Sequence, residues 1–175
     1  MKSYNDPTFF NIKTILILVG ITIMFCISFT KTSKNQYPSD LKIIGSIGGV
    51  HPWEQIHFLR LAADGHGYYK KYIAREIGKP PLKEKSFQIT SSQIQNVWDA
   101  IMKNDFFLLQ SEYKNENITG GFFASLMITG GNQTHKVSIW NRVVPSFTAI
   151  VQTLNSVTPP EADLPYIEYI KSLNP

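Results

Sequence analysis

The chain of 175 residues has one cysteine, Cys26. A single thiol forms no intramolecular disulfide and cannot supply a four-thiolate zinc site, so neither staple is available to the fold. Charge is scarce as well. Asp, Glu, Lys and Arg make up 17% of the residues, below the roughly 25% of an ordinary soluble domain and far from a self-repelling disordered chain. Paired histidine spacings of the HExxH type are missing, and no internal repeat of fixed period occurs. Gly48-Gly49, Gly120-Gly121 and Gly130-Gly131 do not join a strand to a helix at phosphate-binding spacing, so they read as turns. No cofactor and no metal site is expected from such a chain. What is present is 43% hydrophobic and 13% aromatic residues, enough for the core of one modest domain with attachments.

The sharpest feature is an uncharged run of 17 residues, Thr14 to Thr30, between Lys13 and Lys31. As a helix it covers about 26 Å, slightly short of the roughly 30 Å hydrocarbon core, a gap that snorkelling lysines can close. Its length lies on the border between an anchor and a signal-peptide core. Cys26 follows Met24 and Phe25, where lipid attachment would want small residues. The expectation is a tail over residues 1–13 and a transmembrane anchor over 14–30, with the carboxy-terminal domain extracytoplasmic. The alternative is a cleaved signal that leaves a secreted or periplasmic protein.

Residues 31–39 are polar, contain Pro38 and read as a linker. Beyond them, 40–158 reads as a soluble α+β domain. Leu41 to Ile47 is a predicted strand, and Gly48-Gly49 with Pro52 a loop. Gln55 to Ala63 and Tyr68 to Ile73 are two strands joined at Asp64-Gly65-His66-Gly67, with Lys85 to Ile89 following as another. Thr90 and Gln93 carry the spacing of a capping box ahead of Ile94, Val97, Trp98, Ile101 and Met102, one face of a helix. Phe106 to Leu109 is expected to pack that helix end on the sheet, and Lys114 to Thr119 to be an exposed loop. Gly121 to Thr129 and Thr134 to Trp140 form a second hairpin, with His135, Val137 and Ile139 on one face and Lys136, Ser138 and Trp140 on the other. Phe147, Ile150, Val151, Leu154 and Val157 mark a second helix behind Pro145. Residues 159–175 read as a tail with a short helix, Pro165 to Leu173, that either folds back on the domain or stays loosely attached. Hairpins force antiparallel pairing, and two amphipathic helices need an apolar sheet face. The predicted architecture is one antiparallel sheet with both helices on one side.

The Pro52 loop, Ala63-Asp64-Gly65, Ile89-Thr90-Ser91, Asp105-Phe106-Phe107-Leu108 with Tyr113, the Gly130-Gly131 hairpin and Pro145 follow one another in a set order. In this succession the chain resembles, over roughly residues 44–157, a family of uncharacterised exported bacterial α+β domains. Where those relatives commonly carry loop cysteines, this chain has Gly48-Gly49-Val50-His51-Pro52. The resemblance implies export and a small α+β fold, and it brings no established activity to carry over.

Charge is uneven in one place. Lys70, Lys71, Arg75, Lys79, Lys83 and Lys85 outnumber Glu76 and Glu84 between residues 70 and 85, with Tyr68, Tyr69 and Tyr72 interleaved. A basic arm of this kind suits an anionic envelope component or a protein partner. Lysines on a strand edge also serve to block edge-to-edge aggregation. Nucleic acid is not expected, because the charge does not continue along a helix or groove. The chain therefore reads as a membrane-attached or exported binding module of the cell envelope, using this arm or an exposed sheet face. Two alternatives stand beside it. One is an enzyme whose site assembles only in three dimensions, with His57, His135 and Asp64 as candidates and His51 and His66 as ordinary loop residues. The other is an inhibitor of an envelope hydrolase.

Overall fold

The computed structural model describes residues 37–173 except 52, 53 and 119. The tail 1–13, the apolar run 14–30 and most of the linker lie outside the described residues. Among those described, no helix is long and apolar enough to cross a membrane.

Alternating apolar and polar residues build the strands, because successive side chains leave a strand on opposite faces. β1 (Lys42–Gly49), β2 (Gln55–Ala62), β3 (His66–Ile73) and β4 (Lys83–Gln88) form an antiparallel meander. After α1 (Ser91–Lys103) come β5 (Glu112–Lys114), β6 (Phe122–Gly130) and β7 (Gln133–Trp140), then α2 (Pro145–Val157) and α3 (Tyr166–Leu173). The described residues form one sheet of order β4-β3-β2-β1-β6-β7-β5. β6 turns into β7 through Gly131 and Asn132, both with positive φ (62° and 63°), the two-residue turn whose twist matches a hairpin. Asp40 holds this turn. Its carboxylate accepts from the Asn132 and Gly131 N–H groups at 3.0 and 2.9 Å, which keeps its pKa below the usual carboxylate range.

The predicted α+β class holds, but the sheet is mixed. β5 runs parallel to β7, pairing Glu112 with Ser138 and Lys114 with Trp140. Three residues are too few to show alternation, so the sequence suggests no strand here, and its last residue, Lys114, falls in the expected loop. Gly48 and Gly49 are likewise inside β1 instead of a loop. A Cβ on Gly48 would stand 2.7 Å from the Gln55 carbonyl oxygen, so close strand approach requires glycine there. His66 and Gly67 open β3, which shortens the predicted hairpin turn, and β4 begins at Lys83, two residues before the expected start.

The inward face carries Ile43, Ile47, Leu59, Leu61, Leu126, Ile128, Val137 and Ile139, all buried with the apolar stripes of α1 and α2 in one cluster. The Thr90 hydroxyl accepts from Gln93 N–H and the Gln93 side chain accepts from Thr90 N–H, which is the expected capping box. Ile94, Val97 and Ile101 are buried, whereas Met102, expected on the same stripe, is exposed in the last turn. Phe106 is buried and Leu108 points to solvent.

The core extends past the expected domain at both ends. Tyr37, assigned to the linker, is already buried in the core. Of the two arrangements open to the tail 159–175, folded back or loosely attached, the structure has the first: Ala162, Leu164 and Tyr166 are each fully buried. Tyr166 packs its ring against Phe147 (centroids 5.0 Å apart) and Phe122 (5.7 Å), and Leu164 fills the space above Gly45. Pro159 and Pro160 stop α2, but the chain turns back onto the sheet because this face would otherwise be left uncovered.

If the last segment is core, Tyr166→Ala leaves a cavity and should cost about 3–5 kcal/mol in denaturant unfolding. Leu108→Ala, at a site 84% exposed, should change stability by less than about 0.5 kcal/mol. Equal losses for the two would remove residues 159–170 from the core.

Candidate functional site

With one sheet face covered by helices, the opposite face is the widest surface on which strand residues can be presented. Its side chains come into line through the ladder register. Across β1, β6 and β7, Gly48, Phe123 and Trp140 form one row, Ser46, Ser125 and Ser138 the next, and Ile44, Met127 and Lys136 the third. The Ser46 and Ser125 hydroxyls lie 3.0 Å apart. The Phe123 and Trp140 rings sit beside each other, centroids 5.7 Å apart and tilted 37°. Three short side chains between taller rows leave a depression of about 240 Å³, lined by Ser46, Phe123, Ser125, Lys136, Ser138 and Trp140. Trp140 is 38% exposed. Lys136 is exposed and makes no ion pair among the described residues. On the β2–β3 flank the same face carries a second aromatic pair, Phe58 and Tyr72, edge to face at 5.7 Å.

The sequence had put Lys136, Ser138 and Trp140 on one side of a strand, but nothing in it showed that Ser46, 79 residues before Ser125, would join them. A serine triplet spread over three strands leaves no local signal.

The basic arm does not form a single patch. Tyr68, Lys70 and Tyr72 are on the open face, and Lys71 faces the helix-covered side, opposite His57. Arg75 stands exposed on a short 3-10 turn (Ala74–Glu76), and Lys79 follows it. Much of the charge is locally matched. Lys70 pairs with Glu84 at 3.8 Å and lies over the Tyr68 ring at 5.0 Å, while the Tyr68 hydroxyl also bonds Glu84. Lys79 pairs with Glu76 at 3.7 Å and Lys85 with Glu161 at 3.0 Å.

The candidate acid–base residues do not converge. His57 on β2 and His135 on β7, strand residues that could have become neighbours, are kept apart, because β1 and β6 run between them and their rows differ by four residues. Strand spacing and rise place them about 20 Å apart. The ring of His135 is tied to the Leu109 carbonyl (2.9 Å), and Asp64 sits in the β2–β3 turn, accepting from His66 N–H at 2.9 Å. Among the described residues, no group of three or more His, Cys, Asp and Glu could hold a metal ion. Two further depressions carry no converging catalytic set. One is apolar, about 210 Å³, at the end of α1 around Met102, Phe107 and Leu108. The other, about 290 Å³, lies between Lys114, Glu116, Asn117 and Arg142.

His57 has a structural task instead. Its Nδ1 meets the Tyr69 hydroxyl at 2.8 Å and its ring also bonds the Asp163 main chain, which clips the carboxy-terminal segment to β2 and β3. Burial lowers the imidazole pKa to about 4, helped by the Lys71 charge. Burial raises the Tyr69 phenol to about 12, with the Asp163 charge adding to it. The neutral ring accepts the phenol proton at Nδ1 and keeps its other N–H for the carbonyl.

In the unfolded chain His57 takes up its proton near pH 6.5, and in the folded chain only near pH 4. Protonation therefore favours unfolding, so stability is full above pH 6.5 and falls as pH drops from there toward 4. Thermal melts at pH 7.5 and 4.5 should show this drop, and His57→Gln should reduce the difference. An unchanged difference would deny the neutral clip.

No protein-family model matches the chain, and no curated protein matches it.

Proposed function

We propose that this protein is a non-catalytic binding module of the cell envelope, whose recognition surface is the open face of its sheet. The observation that carries the reading is the division of the sheet. One face is consumed by the core, while the other presents aromatic rings, hydroxyls and an exposed lysine around a depression. Exposed strand-borne rings and hydroxyls form a rigid surface of fixed spacing, which suits recognition. The apolar run Thr14 to Thr30 supports attachment to a membrane with the domain outside the cytoplasm, or export after cleavage. The resemblance to exported bacterial domains points the same way. An anionic envelope component or a protein partner is the corresponding ligand class, with the Tyr68, Lys70 and Tyr72 part of the arm flanking the same face.

The test is co-sedimentation of the full chain, held in zwitterionic nanodiscs, with washed envelope fragments at low and high salt. Trp140→Ser with Lys136→Gln should weaken association at least about tenfold, the size of an interface hot spot. Neutralising Lys70, Lys71, Arg75 and Lys79 together should remove only a salt-sensitive part, within about threefold, as expected for exposed charges. Wild-type association in the open-face variant would sink this reading. Loss in the arm variant alone would move the site to the arm.

A further inference from the structure

Resting on the open-face reading, we propose that the depression between β1, β6 and β7 is a binding site for an acidic saccharide. In this site a sugar ring stacks on Trp140, its hydroxyls bond the Ser46–Ser125–Ser138 row, and its carboxylate meets Lys136.

The geometry selects this chemistry step by step. Neighbouring strands lie about 4.8 Å apart, so three serines in register make a floor about 10 Å long, of the order of one sugar ring and its substituents. Serine fits a sheet interior less well than Val, Ile or Thr, so three in one row forgo packing that larger residues would give. What they provide is a line of hydroxyls, each both donor and acceptor, which is what a ring bearing hydroxyls needs. Along one side the floor is walled by Phe123 and Trp140, whose tilted pair leaves the indole 38% exposed. An indole face suits the flat, partly apolar C–H side of a sugar.

The charge pattern decides the rest. In the lining Lys136 is the one ionic group, and among the described residues it has no ion-pair partner. A lone exposed ammonium suits a ligand with a single acidic group per ring. Glu112 lies beside Ser138 at the β5 end of the hydroxyl row. Its like charge repels an anion there, so the ligand carboxylate sits on the Lys136 side. A nucleic-acid strand fits less well, since its closely spaced phosphates call for several free cations. On this face Lys70 and Lys114 are engaged by Glu84 and Glu116, and the exposed Lys42 and Arg60 stand on β1 and β2 outside the lining, so Lys136 is the one cation at the depression itself. The lining contributes no carboxylate, so the arrangement holds a saccharide without an acid–base pair to cleave it.

Titration calorimetry on the full chain in zwitterionic nanodiscs tests the site. The two acidic probes are the disaccharide of N-acetylglucosamine and N-acetylmuramic acid, whose carboxylate is on a lactyl ether, and a galacturonate tetramer, whose carboxylates are on the rings. Chitotetraose is the neutral control, and an oligothymidylate the nucleic-acid control. At least one acidic probe should bind at least tenfold more tightly than chitotetraose, and the stronger of the two identifies the carboxylate source. Lys136→Gln should abolish that preference while leaving neutral binding in place. Trp140→Ala should weaken every saccharide at least tenfold, and Trp140→Phe should restore most of the loss. Ser125→Ala, which removes the hydroxyl without adding bulk to the floor, should weaken binding with the melting temperature preserved.

If neither acidic probe shows measurable heat up to 10 mM, or if the oligothymidylate binds more tightly than both, the saccharide assignment is wrong. Envelope association that still depends on Trp140 would in that case leave the open-face reading standing. If envelope association were also indifferent to Trp140 and Lys136, both would fall together.

Discussion

The ladder between β1 and β6 is the constraint on which the rest of this structure depends. It joins the meander β1–β4 to the β6–β7 hairpin by pairing residues such as Ile43 with Ile128 and Ile47 with Ala124, some 80 positions apart in the chain. Each half alone is a small sheet with an exposed strand edge, and neither has enough apolar face to bury both helices. Joined, they place Ile43, Leu61, Ile128 and Val137 on a continuous surface, and α1 and α2 cover it. The loop-closure cost of such a distant pairing is modest because it grows only logarithmically with length, while the apolar area it brings together grows with every added strand.

The same ladder builds the opposite surface. Because side chains alternate, a register that puts Ile43, Gly45 and Ile47 inward puts Ile44 and Ser46 outward, next to Met127 and Ser125. A slip of one residue would exchange the two sets, expose the core and bury serines and Lys136. Core and candidate site are therefore two faces of a single register, and selection for a packed interior also fixes the spacing of the outward hydroxyls and rings. Closure of the inward face is completed by the carboxy-terminal segment, through Leu164 over Gly45, Tyr166 among Phe122 and Phe147, and the His57 clip to Asp163.

Several elements were legible in the sequence because their cause is local. The Thr90–Gln93 capping box sets the start of α1 with groups three residues apart, and Gly131 with Asn132 sets a hairpin turn through backbone preference alone. Alternation in Thr134 to Trp140 sorted the faces of β7 correctly. Other elements were illegible for equally physical reasons. β5 is too short for a pattern, and its parallel partner depends on where the chain returns after Phe106–Leu108. The glycines of β1 look like a turn because close strand approach and turning both call for the smallest residue. The basic arm looked like one patch because a linear count ignores that Lys70 and Lys71 leave β3 on opposite faces.

The amino-acid sequence by itself determined the α+β class, the local hairpins, the two long amphipathic helices and an uncharged run of 17 residues, since each follows from neighbours within a few turns of chain. Only the tertiary structure decided the strand order, the burial of the carboxy-terminal segment, the separation of His57 from His135 and the gathering of Ser46, Ser125, Ser138, Lys136 and Trp140. These depend on which strands pair across long stretches of sequence, and that choice is made by the total apolar surface a pairing buries, a quantity that no local window contains.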